Sequence, residues 1–168
     1  MLIRGSRLTV EGSMPQIIRM RVFDRPGVLD RVTGLIRRHG VNIKTITSGN
    51  VAEGISQITI SLGDNARIDS LANNLMDTLR EMASVREIEK CTPETHIILE
   101  LMLARFTADQ KGLIDESMTV IREENGMVFV QYVANPADVD AMLSKLQGHG
   151  VVCARGGALG VSLTGEGL

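Results

Sequence analysis

Runs of alternating apolar residues and runs with apolar residues three or four apart follow one another along this chain. The first spacing is typical of strands with one buried face, and the second of amphipathic helices. Over residues 16–91 the runs predict strand, helix, strand, strand, helix and strand. This order predicts a ferredoxin-like domain, with two helices on one face of a four-stranded sheet. The clearest helical stripe comprises Ile68, Leu71, Ala72, Leu75, Met76, Leu79 and Met82.

The second half, residues 92–168, has a similar pattern with one ambiguous segment. Residues 109–124 fit either one amphipathic helix or a short helix followed by a hairpin that turns at Asn125-Gly126. The Asn-Gly pair favours a type I′ hairpin turn, although it can also end a helix. We favour the hairpin, because it predicts a second ferredoxin-like domain. The remaining runs predict a strand, a helix and a closing strand or strand pair at residues 96–106, 139–146 and 151–163.

The junction between the first strand and the first helix, residues 24–29, has the composition of a binding loop. Pro26 fixes φ and has no N–H to leave unpaired, and Gly27 allows close approach to the backbone. The helix that begins near Val28 directs free N–H groups and its positive dipole end into the loop, which suits a small carboxylate. The same residues also fit an ordinary strand-to-helix turn. Asp24 fits either a ligand contact or an N-terminal cap.

Composition and charge disfavour several classes of function. Aromatic residues are 2% of the 168 residues and the net charge is −2, so the stacking side chains and basic surface of nucleic-acid-binding proteins are missing. No apolar stretch approaches the ~20 residues that span a bilayer. Residues 1–15 lack the apolar core of a signal peptide and predict a flexible tail. We therefore expect a cytoplasmic protein with no nucleic-acid or membrane partner.

No motif for catalysis or metal binding occurs in the sequence. The patterns GxSxG, CxxC, HExxH and GxxxxGK[ST] are absent, and each marks a particular chemistry. His39, His96 and His149 share no metal-ligand spacing. Gly156-Gly157 comes too late in the chain to open a helix, which disfavours a nucleotide-binding loop. We therefore expect a protein without catalytic residues, metal or cofactor.

Three stretches of the first half resemble the ACT domain, a small-molecule-sensing module of amino-acid metabolism. They are residues 25–36, 39–43 and 55–60. With the tail motif Ala154-Arg155-Gly156-Gly157 and the two-domain length, residues 15–165 resemble the small regulatory subunit of acetolactate synthase. The resemblance implies a non-catalytic subunit that activates a catalytic subunit and confers feedback inhibition by valine or a related amino acid. Thiamine diphosphate, FAD and Mg would belong to that catalytic partner.

The resemblance also implies a binding site for the amino-acid effector. In the family, effectors lie between the loop of one chain and the strand of another, so a homodimer through the ACT domain would complete the site. The family usually has Asn at the position of Asp24 and Arg at the position of Gln57. A charged Asp24 would repel the carboxylate of an amino acid and attract its ammonium group. The residues carried over are Asp24, Pro26, Gly27, Val28, Leu29, Asn42 and Ile43.

Two other functions remain open from the sequence. One is a stand-alone amino-acid sensor that serves a different enzyme or regulator. The other is a small enzyme of another type, which would need a cleft with perturbed ionisable groups. We expect the effector response to reside in residues 16–91, and residues 92–168 to tune it or to contact the partner.

Overall fold

The computed structural model describes residues 16–63 and 68–164, and the predicted tail over residues 1–15 lies outside these ranges. The first half forms an antiparallel sheet in the order β2-β3-β1-β4, with two helices between its strands in the predicted sequence. Its elements are β1 (Ile17–Phe23), α1 (Val28–Arg38), β2 (Ile43–Ala52), β3 (Ile55–Leu62), α2 (Ile68–Arg80) and β4 (Val85–Cys91).

The second half forms another antiparallel sheet, in the order β6-β7-β5-β8, with β9 also paired to β5. A short 3-10 helix, Ala108–Leu113, and a hairpin replace the single-helix alternative. Asn125 and Gly126 both have positive φ, as a type I′ turn requires. The prediction of two ferredoxin-like domains is therefore confirmed. The elements are β5 (His96–Phe106), β6 (Thr119–Glu124), β7 (Met127–Ala134), α3 (Pro136–Gln147), β8 (Val152–Arg155) and β9 (Leu159–Ser162).

Each sheet buries one face against its helices. In β1, the apolar positions that alternate along the strand enter a core with α1 and α2, and Met82 packs on this core from beyond the end of α2. In the second half, the core lies between the sheet and α3. Among the described residues, no helix combines the length and the apolar character needed to cross a membrane.

The other face of the first sheet, without helices, is partly covered by the second half. Ile17 and Cys91 pack with Ile98 and Ala158 in a third buried cluster. Arg19 is only 7% exposed and donates a hydrogen bond of 3.2 Å to the carbonyl of Gly160. The helix-free face of β1 carries Arg19 and Arg21, and at Arg19 this face is an interface between the two halves.

Strand β5 contributes to both halves because its eleven residues alternate strictly between buried and exposed. On the buried side, Ile98 and Glu100 lie against the first half, while Met102 and Phe106 enter the core of the second. One continuous strand thus fixes how the two halves are joined.

Candidate functional site

The loop between β1 and α1 presents an uncapped helix end. Gly27 is the N-cap residue with φ +80°, and among the residues that the structure describes no side chain caps the first turn. The Val28 N–H donates to the Arg25 carbonyl at 3.2 Å, and the Asp24 N–H donates to the Gly54 carbonyl at 2.8 Å. The capping alternative for Asp24 is therefore wrong. The remaining first-turn N–H groups point at the loop, where an anion would bind them.

The predicted loop residues differ in their access to solvent. Asp24, Pro26 and Gly27 are exposed, and the side chain of Leu29 is 43% exposed. Val28, by contrast, is buried in the core between the sheet and the helices. Val28 therefore anchors the loop, and a ligand would contact its backbone rather than its side chain.

Two guanidinium groups lie beside the loop. Arg25 stacks over the ring of Phe23 at 5.3 Å from the centroid, and Arg86 lies at 5.7 Å from the same centroid. Arg25, Phe23 and Arg31 line a cavity of about 420 Å³ with residues 82–84. The surroundings of the loop are thus positively charged, apart from Asp24 and Asp30 on the loop and first turn.

Asn42 lies at the opposite end of the sheet from this loop. The next residue, Ile43, pairs with Leu62 at the end where β1 begins, whereas the loop follows Phe23, the last residue of β1. Seven strand residues separate the two ends by about 20 Å. One chain therefore does not bring Asn42 and Gly27 together, and a site that contains both requires a second copy.

The local structure leaves Asn42 available. Asn42 is exposed, and its backbone carbonyl accepts a hydrogen bond of 2.7 Å from the Gly63 N–H. Ile43 is half-buried and packs on the first core. The backbone bond and the packing of Ile43 thus hold Asn42 at an exposed position.

The strand that follows Asn42 is a free edge. β2 pairs with β3 on one side, and no other strand within residues 16–63 and 68–164 pairs with its other side. Ile46 and Val51 on this strand are 37% and 42% exposed. A long edge with unpaired N–H and C=O groups is where a second chain adds to a sheet.

A polar network ties the start of β2 to the second half. The Lys44 ammonium lies 2.5 Å from a carboxylate oxygen of Asp140, and the Thr45 hydroxyl lies 3.5 Å from Glu100. Arg155 donates to both carboxylates, at 2.8 Å to Glu100 and 2.5 Å to Asp140. The residues next to Asn42 are therefore held by groups from β5, α3 and β8.

Burial and pairing act in opposite directions on the carboxyl groups of this network. Burial raises the pKa of Glu100, and the hydrogen bond and charge of Arg155 oppose this only in part. Burial also acts to raise the pKa of Asp140, but hydrogen bonds from Lys44 and Arg155 bring it below its ordinary value. Arg155 likewise has a raised pKa, because its two carboxylate partners outweigh its burial. Arg155 thus bridges the two carboxyl groups of the network with charge-assisted hydrogen bonds.

Comparison with known proteins identifies the family. The AHAS small subunit-like ACT domain matches residues 18–85. The probable acetolactate synthase small subunit of Archaeoglobus fulgidus is 34% identical over 113 residues, which cover 65% of this chain and 68% of that protein. The chain belongs to the acetolactate synthase small subunit family. The Bacillus subtilis acetolactate synthase small subunit is 25% identical over 82% of this chain and 84% of its own length.

A solved structure supports the fold of both halves. The acetolactate synthase small subunit of Thermotoga maritima covers 88% of this chain and 96% of its own, with a TM-score of 0.69 and 20% identity. At that identity the likeness concerns the fold alone. The family resemblance seen in the sequence is thus confirmed, while the effector residues remain a prediction.

Sequence analysis missed the structural role of the family's tail motif. A Cβ atom on Gly157 would lie 1.9 Å from the Thr47 hydroxyl and 3.1 Å from the Ile46 carbonyl. One on Gly156 would lie 3.2 Å from the Leu101 carbonyl. With Arg155 in the polar network, the motif lets the chain approach β2 and β5 closely. The adjacent glycines were the available signal, but their contacts are far away in sequence.

Proposed function

We propose that this chain is the regulatory subunit of an acetolactate synthase, which activates the catalytic subunit and makes it sensitive to valine or a related amino acid. The observation that carries the proposal is the uncapped, exposed start of α1 behind Gly27 in a chain of this family. Such a helix start binds a carboxylate through backbone N–H groups and the helix dipole.

The loop suits an amino acid with an apolar side chain. First-turn N–H groups would bind the α-carboxylate, and Asp24 would attract the α-ammonium group. The exposed side chain of Leu29 offers an apolar contact close to both. This arrangement favours valine or a similar small amino acid.

A homodimer would complete the site. Antiparallel pairing of two β2 edges would place the Ile43 end of one strand beside the Ala52 end of the other. The Ala52 end lies where the loop lies, because Ile55 pairs with Phe23. Asn42 of one chain would then stand at the same end of the joint sheet as the loop of the other. Its amide can satisfy both a carboxylate and an ammonium group.

The two subunits would have different roles, because the sequence of this chain contains no catalytic motif. This chain would supply effector binding, and the catalytic subunit would carry thiamine diphosphate, FAD and Mg. An effector changes activity only through differential affinity for two states of the assembly. By linkage, the catalytic subunit must alter valine affinity as much as valine alters binding of the catalytic subunit.

The test follows acetolactate formation from pyruvate by the catalytic subunit of the same organism, with and without this full-length chain. We expect a higher rate and inhibition by valine. Gly27→Asp should remove the valine response and retain activation, because its carboxylate would occupy the anion site. Gly150→Asp is the matched control, since Gly150 also has positive φ and open space around it. An unchanged rate with the wild-type chain at saturating ratio would reject the proposal and favour a stand-alone sensor.

Calorimetry tests the other side of the site. Asn42→Ala should weaken valine binding by about 1–3 kcal/mol, roughly 5- to 150-fold in Kd. Asn73→Ala, at an exposed asparagine of α2, should leave the Kd unchanged. Valine binding that survives Gly27→Asp would place the site elsewhere.

A further inference from the structure

The helix-free face of the first sheet has a cavity where β9 of the second half approaches it. We call it the Thr59 cavity. Its volume is about 300 Å³, and residues 47–51 of β2, Gln57 and Thr59 of β3 and Leu159 of β9 line it. Gly49 pairs with Gln57, and a Cβ atom on Gly49 would meet no described atom within 4 Å. The missing side chain at Gly49 thus leaves open space beside Gln57.

The lining of this cavity includes a buried hydroxyl group that makes no hydrogen bond. Thr59 is 1% exposed, and its hydroxyl oxygen has no hydrogen-bond partner within the described part of the chain. An unpaired buried hydroxyl costs free energy, and native structures pair the great majority of such groups. Gln57, half-buried on the same strand and the same face, adds a side-chain amide that can donate and accept. The cavity therefore offers hydrogen bonds to a ligand.

Positive charge lies directly beside these groups. A second cavity, of about 180 Å³, shares Val51 with the first, and its lining includes Arg21, Arg86 and Glu87. Arg21 pairs with Gln57 across β1 and β3, so their side chains are neighbours on one face. The Nε atom of Arg21 is buried without a partner among the described residues, and a terminal nitrogen lies 3.3 Å from the exposed carboxylate of Glu87. Arg21 thus retains a free donor next to the Thr59 cavity.

The combination of groups selects a class of ligand. A guanidinium group binds a carboxylate through charge-assisted hydrogen bonds, and a hydroxyl and an amide can donate to a keto or hydroxyl oxygen. Leu159 and Val51, 57% and 42% exposed, offer apolar contacts. Among the described residues that line the two cavities, Glu87 alone has a carboxyl group, and it already pairs with Arg21. The site therefore suits an oxygen-bearing carboxylic acid better than an amino acid with its ammonium group.

We propose that the Thr59 cavity binds a small 2-oxo or 2-hydroxy acid, at a site separate from the Gly27 loop. Arg21 binds the carboxylate of this acid, and Thr59 and Gln57 bind its second oxygen. The cavity opens on the helix-free face of the sheet, whereas α1 packs on the other face. Because Leu159 belongs to the second half, the bound acid contacts both halves and stabilises their junction. The inference requires neither valine binding nor a catalytic subunit.

Calorimetry of the full chain with 3-methyl-2-oxobutanoate tests the site. This probe has the carbon skeleton of valine with a keto oxygen in place of the ammonium group. We expect saturable binding that Thr59→Val weakens at least fivefold, as expected for a lost hydrogen bond to a buried group. Thr59→Ser keeps the hydroxyl and should change the Kd less than twofold.

A second variant fills the cavity instead of removing a hydrogen bond. Gly49→Val adds a side chain that strands favour in the open space beside Gln57, and it should weaken binding of the probe at least tenfold. Gly27→Asp should leave the Kd of the probe unchanged, because the loop is a separate site. Urea unfolding and sedimentation equilibrium check that each variant keeps the fold and assembly of the wild type.

Three outcomes would overturn the inference. The first is the absence of saturable binding of the probe to the wild-type chain at millimolar concentration. The second is a Kd that Thr59→Val and Gly49→Val leave unchanged but Gly27→Asp raises, because the probe would then occupy the effector loop. The third is displacement of the probe by inorganic phosphate at equal concentration, because the site would then recognise charge alone. Each of these outcomes leaves the proposed function intact, and a chain that fails to activate a catalytic subunit leaves the cavity site intact.

Discussion

The two sheets share a strand order, yet their helix-free faces are opposite in character. The first sheet presents polar side chains there and is partly covered by the second half. The second sheet presents mainly aliphatic side chains there, with Arg105 and Gln131 beside them, and most of these aliphatic side chains are exposed in the described part of the chain. The fold alone therefore does not decide which face is buried. The polar residues on this face of the first sheet include Arg19, Arg21, Gln57, Thr59, Glu87 and Glu89.

The difference shows two ways of joining elements. On the first sheet, contacts are specific: Arg19 and Lys44 pair with groups supplied by the same chain. Such contacts require one fixed arrangement, because a buried charge or hydroxyl is costly without its partner. On the helix-free face of the second sheet, apolar side chains are exposed, and burial of such surface is non-directional and scales with area. Directional contacts fix one arrangement of the two halves, whereas non-directional burial accepts any apolar surface of matching area.

The largest expected effect comes from breaking the polar junction. Arg155→Met leaves the fully buried carboxylate of Glu100 without its guanidinium, which should lower the free energy of unfolding by about 3–5 kcal/mol. The double variant Glu100→Leu with Arg155→Met should recover most of this loss, because it removes the unpaired charge. Urea denaturation measures both. A double variant no better than the single one would show that the network stabilises by geometry rather than by charge.

The pH dependence of that variant has a definite sign. Burial raises the pKa of Glu100 above its ordinary value of 4.5, and removal of Arg155 raises it further. A group whose pKa is raised on folding stabilises below its unfolded pKa, and this contribution is lost as pH rises through the folded pKa. The stability deficit of Arg155→Met should therefore shrink as pH falls towards 4.5 and grow as pH rises above it. A deficit constant across this range would contradict the assignment.

A smaller loss of stability should follow from adding a side chain at Gly157, where neighbouring atoms leave no room for a Cβ atom. Gly157→Ala forces the tail motif away from the Thr47 hydroxyl and the Ile46 carbonyl, at about 1–3 kcal/mol for overpacking. Gly34→Ala is the control, because Gly34 lies within α1 with open space around it and should gain up to about 1 kcal/mol. Opposite signs in thermal denaturation are expected.

The rate of thiol labelling at Cys91 measures how often the junction between the two halves opens. Burial raises the pKa of Cys91 to about 12, and its side chain lies in the cluster between the halves. An alkylating reagent should therefore label it only when the junction opens. Gly157→Ala should speed this labelling roughly 5- to 150-fold, which corresponds to about 1–3 kcal/mol. Equal rates in wild type and variant would show that Cys91 opens by another route.

The smallest effect concerns an unpaired hydroxyl on the covered polar face. Thr59 is 1% exposed, and its hydroxyl has no hydrogen-bond partner within the described part of the chain. Thr59→Val should stabilise by about 1 kcal/mol, because the methyl group has no desolvation cost. Thr95→Val, which removes a hydroxyl bonded to His96 at 2.8 Å, should destabilise by about as much. A loss at Thr59 instead would indicate a bound water or ligand there.

The sequence predicted what local chemistry determines. The period of the apolar residues predicted the strands and helices, and the Asn125-Gly126 turn predicted the hairpin, because each signal lies within the element that it describes. The loop at Gly27 was predicted for the same reason. The contacts of Arg155 and Gly157 were not, because their partners lie 55 and about 110 residues away. The alternation of leucines with other residues along β5 predicted a strand, but it did not predict which face of that strand would be buried.

The bond between Arg19 and Gly160 has a consequence for the order of synthesis. It joins residues 141 positions apart, which lie in β1 and β9, the first and last strands of the described ranges. At about 5–20 residues per second, roughly 7–28 s separate their emergence from the ribosome. During that interval the first sheet can fold on its helices while its polar face stays in water. The face of the first sheet that β9 later covers is therefore polar enough to remain in water until β9 is synthesised.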